Sequence, residues 1–263
     1  MKTMPLYGAV FALLAFQSQV AADNLPPKTD QKAATDDATP QVNEKPTDPA
    51  ARGMLVREQV SASAGELTQL VADATVTLAA FRNGAGDKPK ISDELMKESE
   101  CVAVFPSVTK AAVLVGGRHG DGVVTCRSEK GDWSQIAFLD LVGASFGAQL
   151  GVERSDLVVL FRSKKARSAL EKGRVVFGAD ATIAFGDSDK SADTSTGKPD
   201  MLAFSDAKGG FAGASLTGTY LKADADELQA YYREPISLTR TITTYIIPDE
   251  PVAMRNFVGG LPK

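Results

Sequence analysis

Ala111-Ala112-Val113-Leu114-Val115-Gly116-Gly117 introduces a pattern that returns as GASFGAQLG at Gly143–Gly151 and GGFAGASLTG at Gly209–Gly218. Short runs of Val, Ile, Leu, Ala and Phe are broken by Gly. Glycine weakens a strand, so its recurrence inside strand-like runs points to bulges, sharp bends, or a second backbone approaching where a Cβ would clash. The middle of the chain reads as a tightly curved sheet.

Working outward, strands are predicted at Cys101–Phe105, Ala111–Val115, Gly122–Arg127, Trp133–Leu141, Ser145–Val152, Leu157–Phe161, Val175–Phe185, Met201–Ser205 and Phe211–Tyr220, with turn signals such as Asp121-Gly122 and Lys130-Gly131-Asp132 between them. One helix, SKKARSALEK, interrupts the strands up to Phe185. Before them, Leu55, Val60, Ala64, Leu67, Leu70, Val71, Ala74, Leu78 and Phe81 recur at helical spacing. This is one long amphipathic helix or two in succession, with Gly65 as the weak point, and its stripe suits either a core or a bilayer surface. A short helix follows in ISDELMKES, capped by Ser92 with Leu95 and Met96 inward. Another opens at Ala223–Leu228, where early carboxylates match the helix dipole, and ISLTRTITTYII reads as extended or mixed. The fold class is α+β: N-terminal amphipathic helices packed on a strongly curved, mainly antiparallel, Gly-rich sheet.

Residues 1–22 read as a Sec-type signal peptide. Lys2 is the positive region, Leu6–Phe16 the apolar run, and Val20 and Ala22 stand at the cleavage positions. No Cys follows to accept a lipid, so a periplasmic or secreted location is expected. Residues 23–51 hold Pro, Thr, Asp, Lys and Gln with almost no large apolar side chain and read as a disordered linker. Residues 52–263 are long enough for a single domain. The formal net charge of −4 argues against nucleic acid, so any anion binding must be local.

Catalytic motifs fail on context. Gly143-Ala144-Ser145-Phe146-Gly147 matches the hydrolase elbow G-x-S-x-G, but the single His, His119, lies upstream and no helix follows. Gly116–Gly122 (GGRHGDG) looks like a phosphate loop, yet a strand follows it; a hairpin turn carrying an exposed His119 is the better reading. Cys101 and Cys126 form a disulfide in an oxidising compartment or remain buried thiols. With one His they match no zinc spacing, so neither metal nor cofactor is expected. The densest positive run is Arg162, Lys164, Lys165, Arg167, Lys172 and Arg174. On a helix Lys164 and Arg167 share a face, giving either a phosphate-binding patch or a solvated surface.

Phe105-Pro106-Ser107-Val108-Thr109-Lys110-Ala111, then VGGRHGDGVV, Asp132-Trp133-Ser134, GASFGAQLG, and GGFAGASLTG with LQAYY, resemble in order and spacing the SYLF family of lipid-binding domains, related to a yeast actin-binding regulator domain. The resemblance is collinear from about Leu67 to Tyr232, weaker to Leu261, and is to exported bacterial members. It departs at Gln135-Ile136, Asp187 and Phe204, where the family favours a small residue with Pro, Pro and Tyr. It implies a non-enzymatic domain that binds phosphoinositides or other anionic lipids, with the N-terminal helix as membrane-facing element; the actin activity of eukaryotic members does not transfer to an exported chain. By charge and position, Lys110, Arg118, Arg127, Lys164, Lys165 and Arg167 are the candidate head-group contacts, and an anionic phospholipid or membrane surface is the partner. The alternative is an envelope scaffold that docks another protein without lipid preference.

Overall fold

In the computed structural model one strand, β1 (Cys101–Cys126), runs through most of the stretch that reads as three separate strands. Straight, its 26 residues would span roughly 85 Å. Instead its first and last residues are joined by a disulfide, with 4.0 Å between the Cα atoms. The strand therefore doubles back on itself. The structure describes residues 49–185, 198–207, 216, 218–244 and 251–263, with side chains from 63 onward except at 112–115, 145–151 and 185. The signal-peptide reading, nearly all of the linker, most of the Gly186–Pro199 loop and residues 209–215 fall outside them.

The partner of β1 is β2 (Ala137–Phe161), antiparallel along almost its whole length. The ladder shifts register twice. Between Phe105 and Val108 one extra residue sits on β1, where Ser107 adopts φ 75° and its N–H donates to Asp156 Oδ1 at 3.0 Å. Between Ala112↔Gly151 and Leu114↔Gly147, Val113 alone stands opposite residues 148–150. The longer path on β2 makes it the outer strand of the bend. The two limbs of β1 then meet face to face. A Cβ on Gly120 would lie 3.1 Å from Val108 Cα, and one on Gly122 would lie 2.6 Å from the Val104 carbonyl oxygen and 2.3 Å from the Phe105 ring. At these positions glycine is there because a second backbone is too close for any side chain.

This corrects the hairpin expected at Gly116–Gly122. Those residues lie inside β1, paired with Ser145 through Leu139, and Asp121-Gly122 marks a close approach, not a turn. His119 is exposed as expected, but on a strand, where its Nε2 lies 3.1 Å from Asp121 Oδ1.

After β2 come α3 (Lys164–Glu171), β3 (Arg174–Val176), β4 (Ile183–Phe185), β5 (Met201–Ser205) and β6 (Tyr220–Ala223). The strand order is β3-β6-β2-β5-β4 with β1 on β2, and only β4–β5 is parallel. The single strand expected at Val175–Phe185 is thus two, on opposite edges, split by a turn at Gly178 (φ 85°). Each half of β2 centres its own small sheet, since Leu157–Phe161 pairs with β5 and Leu139–Val142 with β6. Cys101–Phe105 and Leu157–Phe161 are buried, which is why they read as unbroken apolar runs and not as alternation.

The helix ahead of the sheet, α1 (Pro49–Asn83), passes through Gly65 without a break. Its stripe Leu67, Val71, Ala74, Leu78 and Phe81 is buried in the core, so this stripe is not available to a bilayer. In α2 (Asp93–Lys97), Ser92 Oγ accepts from Leu95 N, and Leu95 and Met96 are buried as expected. Asp224 caps α4 (Ala225–Tyr232) through Glu227 N at 2.8 Å. The start of ISLTRTITTYII is helical, not extended: α5 (Leu238–Thr243) is nucleated by Ser237 Oγ, which accepts from Arg240 N. The β-branched residues mask that signal. A last helix, α6 (Val252–Gly259), was not legible in the sequence and buries Met254 and Phe257. Among the described residues no helix is long and apolar enough to cross a membrane.

Candidate anion-binding site

The fold divides the six candidate cations into two groups. Arg127, Lys164, Lys165 and Arg167 gather where the end of β1 meets α3, and Lys110 and Arg118 lie near the bend.

The first group is largely committed to holding the fold together. Arg167 Nη1 donates to Glu100 Oε2 at 3.2 Å and to the Arg127 carbonyl at 2.7 Å, and its Nε donates to Glu171 Oε1 at 3.1 Å. Burial alone would lower its pKa, but the hydrogen bonds to Glu171 and Glu100 outweigh that and raise it. Arg127 stacks on Trp133, 4.6 Å from the ring centre, and donates to the Pro262 carbonyl, which also accepts from Trp133 Nε1 at 3.0 Å. Lys165 pairs with Asp200 at 3.4 Å while remaining exposed. Lys164 is exposed at the first position of α3, beside a cleft of about 450 Å³. That cleft is lined by Lys97, Arg127, Lys164 and Arg167 but also by Glu98, Glu100, Glu129 and Glu171. The charges balance, so an entering anion must displace carboxylates already in place.

The second group is arranged differently. Residues 110 and 118 lie eight apart in sequence, but the fold-back sets them on facing limbs, as the contact of Gly120 with Val108 requires. Lys110 stands opposite Glu153, and Arg118 opposite Gly143. Arg118 is only 8% exposed. Burial and then the nearby Arg118 lower the pKa of Lys110; burial lowers that of Arg118, and Glu153 counteracts both shifts. Two cations and one carboxylate thus share a partly desolvated recess, where an added anion relieves like-charge repulsion.

Glu153 and the opposing limb were not recognised from sequence, because nothing local says that residue 110 meets residue 118. A second missed feature is a pin at the first bulge. Lys88 Nζ lies 3.0 Å from Asp156 and 2.5 Å from Asp206, with the Phe81 ring 5.5 Å away. A cleft of about 900 Å³ runs along the second half of α1 past Arg82, Lys90, Asp93 and Gly260, with the Arg82–Asp93 ion pair at 2.7 Å in its wall. Ser145 of the apparent hydrolase elbow lies within β2, paired with Gly116, and not on a strand-to-helix turn. Among the described residues no three His, Cys, Asp or Glu are placed to hold a metal ion.

Residues 142–259, from mid-β2 to the end of α6, match the sequence model of the Ysc84 family, described as "Las17-binding protein actin regulator". Over these residues the chain matches the Ysc84, or SYLF, family. It is 32% identical over 146 residues to an SH3 domain-containing protein of Schizosaccharomyces pombe, covering 53% of this chain and 34% of that one. It is 31% identical over 144 residues to Protein YSC84 of Saccharomyces cerevisiae, covering 52% and 31%. With the human SH3 domain-containing YSC84-like protein 1 it shares 31% over 134 residues, covering 49% and 39%. The chain therefore spans about a third of the length of these relatives. No solved structure matches. The family description names regulation and binding and no catalysed reaction.

Proposed function

We propose that this SYLF domain is a non-enzymatic module that binds anionic phospholipid head groups at a membrane surface, in an exported, periplasmic or secreted protein. The observation that carries the reading is the fold-back of β1, which sets Lys110 beside a buried Arg118 with Glu153 as their shared counter-charge. A phosphodiester on this recess would complete the neutralisation that Glu153 begins. The α3 group supports the reading less, because its cations are already matched by glutamates. The exported location rests on the N-terminal sequence. Since the chain would then meet no actin, the proposal takes up lipid binding and leaves actin regulation with the relatives whose descriptions name it.

A second reading is a protein-docking module, favoured by the family's description as Las17-binding. Co-sedimentation of the full chain with vesicles separates the two. On the lipid reading, binding to phosphatidylglycerol, cardiolipin or phosphoinositide vesicles is strong at low salt and falls steeply at high salt, with neutral vesicles unbound. Absence of binding to every composition rejects it and favours the protein partner.

A further inference from the structure

Lys110 stands beside Arg118 because β1 carries one residue more than β2 at the first register shift. Before the shift Phe105 is opposite Leu157, and after it Val108 is opposite Ser155, so Pro106 and Ser107 share the single partner position of Asp156. Without the extra residue the first register would continue and set Lys110 opposite Val152, where Ala111 now stands. Val152 is 72% exposed. Successive side chains point to opposite faces of a strand, so a slip of one residue would turn Lys110 onto the outer face of Val152, away from Arg118 and Glu153. The recess therefore depends on the bulge.

The bulge is held from outside the β1–β2 ribbon. Ser107 is a non-glycine residue at φ 75°, a conformation that persists only where its surroundings fix it. Its N–H donates to Asp156 Oδ1 at 3.0 Å, and Asp156 N donates in turn to Asp206 Oδ1 at 2.8 Å. The two aspartates occupy the next position after the last β2–β5 pair, Leu157 with Ser205, so they oppose each other across the strands, and like charges there repel. Lys88 Nζ bridges them, 3.0 Å from Asp156 Oδ2 and 2.5 Å from Asp206 Oδ2. Burial opposes its charge, but the hydrogen bonds to Asp206 and Asp156 outweigh that and raise its pKa, so Lys88 stays a cation.

We infer that Lys88 is a positioning residue for the anion recess: by joining Asp156 to Asp206 it holds the bulge at Ser107, and the bulge turns Lys110 toward Arg118 and Glu153. The inference rests on the lipid reading above for the use of the recess, and on strand register for its geometry. Lys88 has a side chain only 18% exposed and is engaged by two carboxylates, so it acts through Lys110 and not on a head group.

The test uses the full chain and two readouts. The first needs no lipid: a carbodiimide, which condenses an amine with a carboxylate beside it, joins Lys110 to Glu153 in the wild type, and peptide mapping measures the yield. The second is affinity at low salt for vesicles of phosphatidylglycerol with phosphatidylcholine. Lys88→Met loses most of the cross-link and lowers vesicle affinity about fivefold, the effect of withdrawing one basic residue from an anionic surface. Combined with Lys110→Gln it lowers affinity no further, because the two residues act in series, whereas a general loss of structure would add to the effect of Lys110→Gln. If Lys88→Met fails to fold, Asp156→Ala is measured in its place; it keeps the Lys88–Asp206 pair and removes only the acceptor of the Ser107 N–H. A cross-link of wild-type yield in the variant, or losses that add, overturns the positioning role and leaves the lipid reading standing. Absence of the cross-link from the wild type overturns the placement of Lys110 itself. If the wild type binds no vesicle, the lipid reading falls and the cross-link alone decides the positioning role.

Discussion

Replacing Gly122 by alanine tests the doubling-back of β1 at its tightest point. The new methyl would lie 2.3 Å from Phe105 Cδ1 and 2.6 Å from the Val104 carbonyl oxygen. Carbon atoms in contact rest about 3.5 Å apart or more, so one limb must retreat by about 1 Å. Neither neighbour can give way readily. Phe105 is completely buried, and Val104 is held in the ladder opposite Val158. Overpacking of this kind costs about 1–3 kcal/mol, and a clash with backbone belongs at the top of that range. For a domain of this size about 3 kcal/mol corresponds to a fall of roughly 6–12 °C in Tm. The assay is urea and thermal unfolding of the full chain, followed by the fluorescence of the single tryptophan, Trp133. Gly117→Ala is the control, because a Cβ there meets nothing within 4 Å, and it should stay within about 0.5 kcal/mol of wild type. A Gly122→Ala protein as stable as the control would refute the close apposition of the limbs.

Three further predictions concern bonds that close the fold. Burial opposes ionisation of Asp200, but hydrogen bonds from Ser163 Oγ and from Thr182 N and Oγ1, with Lys165 nearby, outweigh it and lower its pKa from 3.8 to about 2. Its contribution, about 2 kcal/mol, is complete above about pH 4 and lost as pH falls towards 2; Asp200→Asn should flatten that part of the urea-midpoint profile. Glu227 moves the other way. Burial and then Asp224, Asp121 and Asp140 raise its pKa from 4.5 to about 7, and its Oε2 is buried without a hydrogen-bond partner among the described residues. Wild-type stability therefore falls as pH rises from 4.5 through about 7. Glu227→Gln should gain about 1 kcal/mol at about pH 8 and nothing at about pH 4, the figure being reduced for the partial exposure of the group. Finally, unfolded protein prepared without reductant should titrate no free thiol, and replacing Cys101 and Cys126 by alanine should cost about 3 kcal/mol, from the 25-residue separation they close. Two titratable thiols would contradict the closure.

What the sequence could reveal was set by how local its signals are. The stripe of α1, the cap at Ser92, and the buried runs of β1 and β2 each depend on neighbours within a few residues, so they were legible. Glycine recurrence announced close backbone approach, and Gly120, Gly122 and Gly143 show it. Which backbones approach was not legible. Asp121-Gly122 carries the chemistry of a turn, but its glycine is required by a limb seventeen to eighteen residues earlier. The site shows the same limit. Charge density singled out the α3 run, where the fold supplies Glu100, Glu171 and Asp200 as partners. The pairing of Lys110 with Arg118 depends on the bend, and a scan for basic runs gives it little weight.

The most direct test of the central claim is the affinity of the full chain for phosphatidylglycerol vesicles at low salt, with Lys110→Gln and Lys165→Gln measured beside wild type. If the recess formed by the two limbs of β1 holds the head group, Lys110→Gln weakens binding about fivefold and Lys165→Gln leaves it unchanged. Equal losses, or a loss confined to Lys165→Gln, would place the lipid contact on α3 and contradict the account.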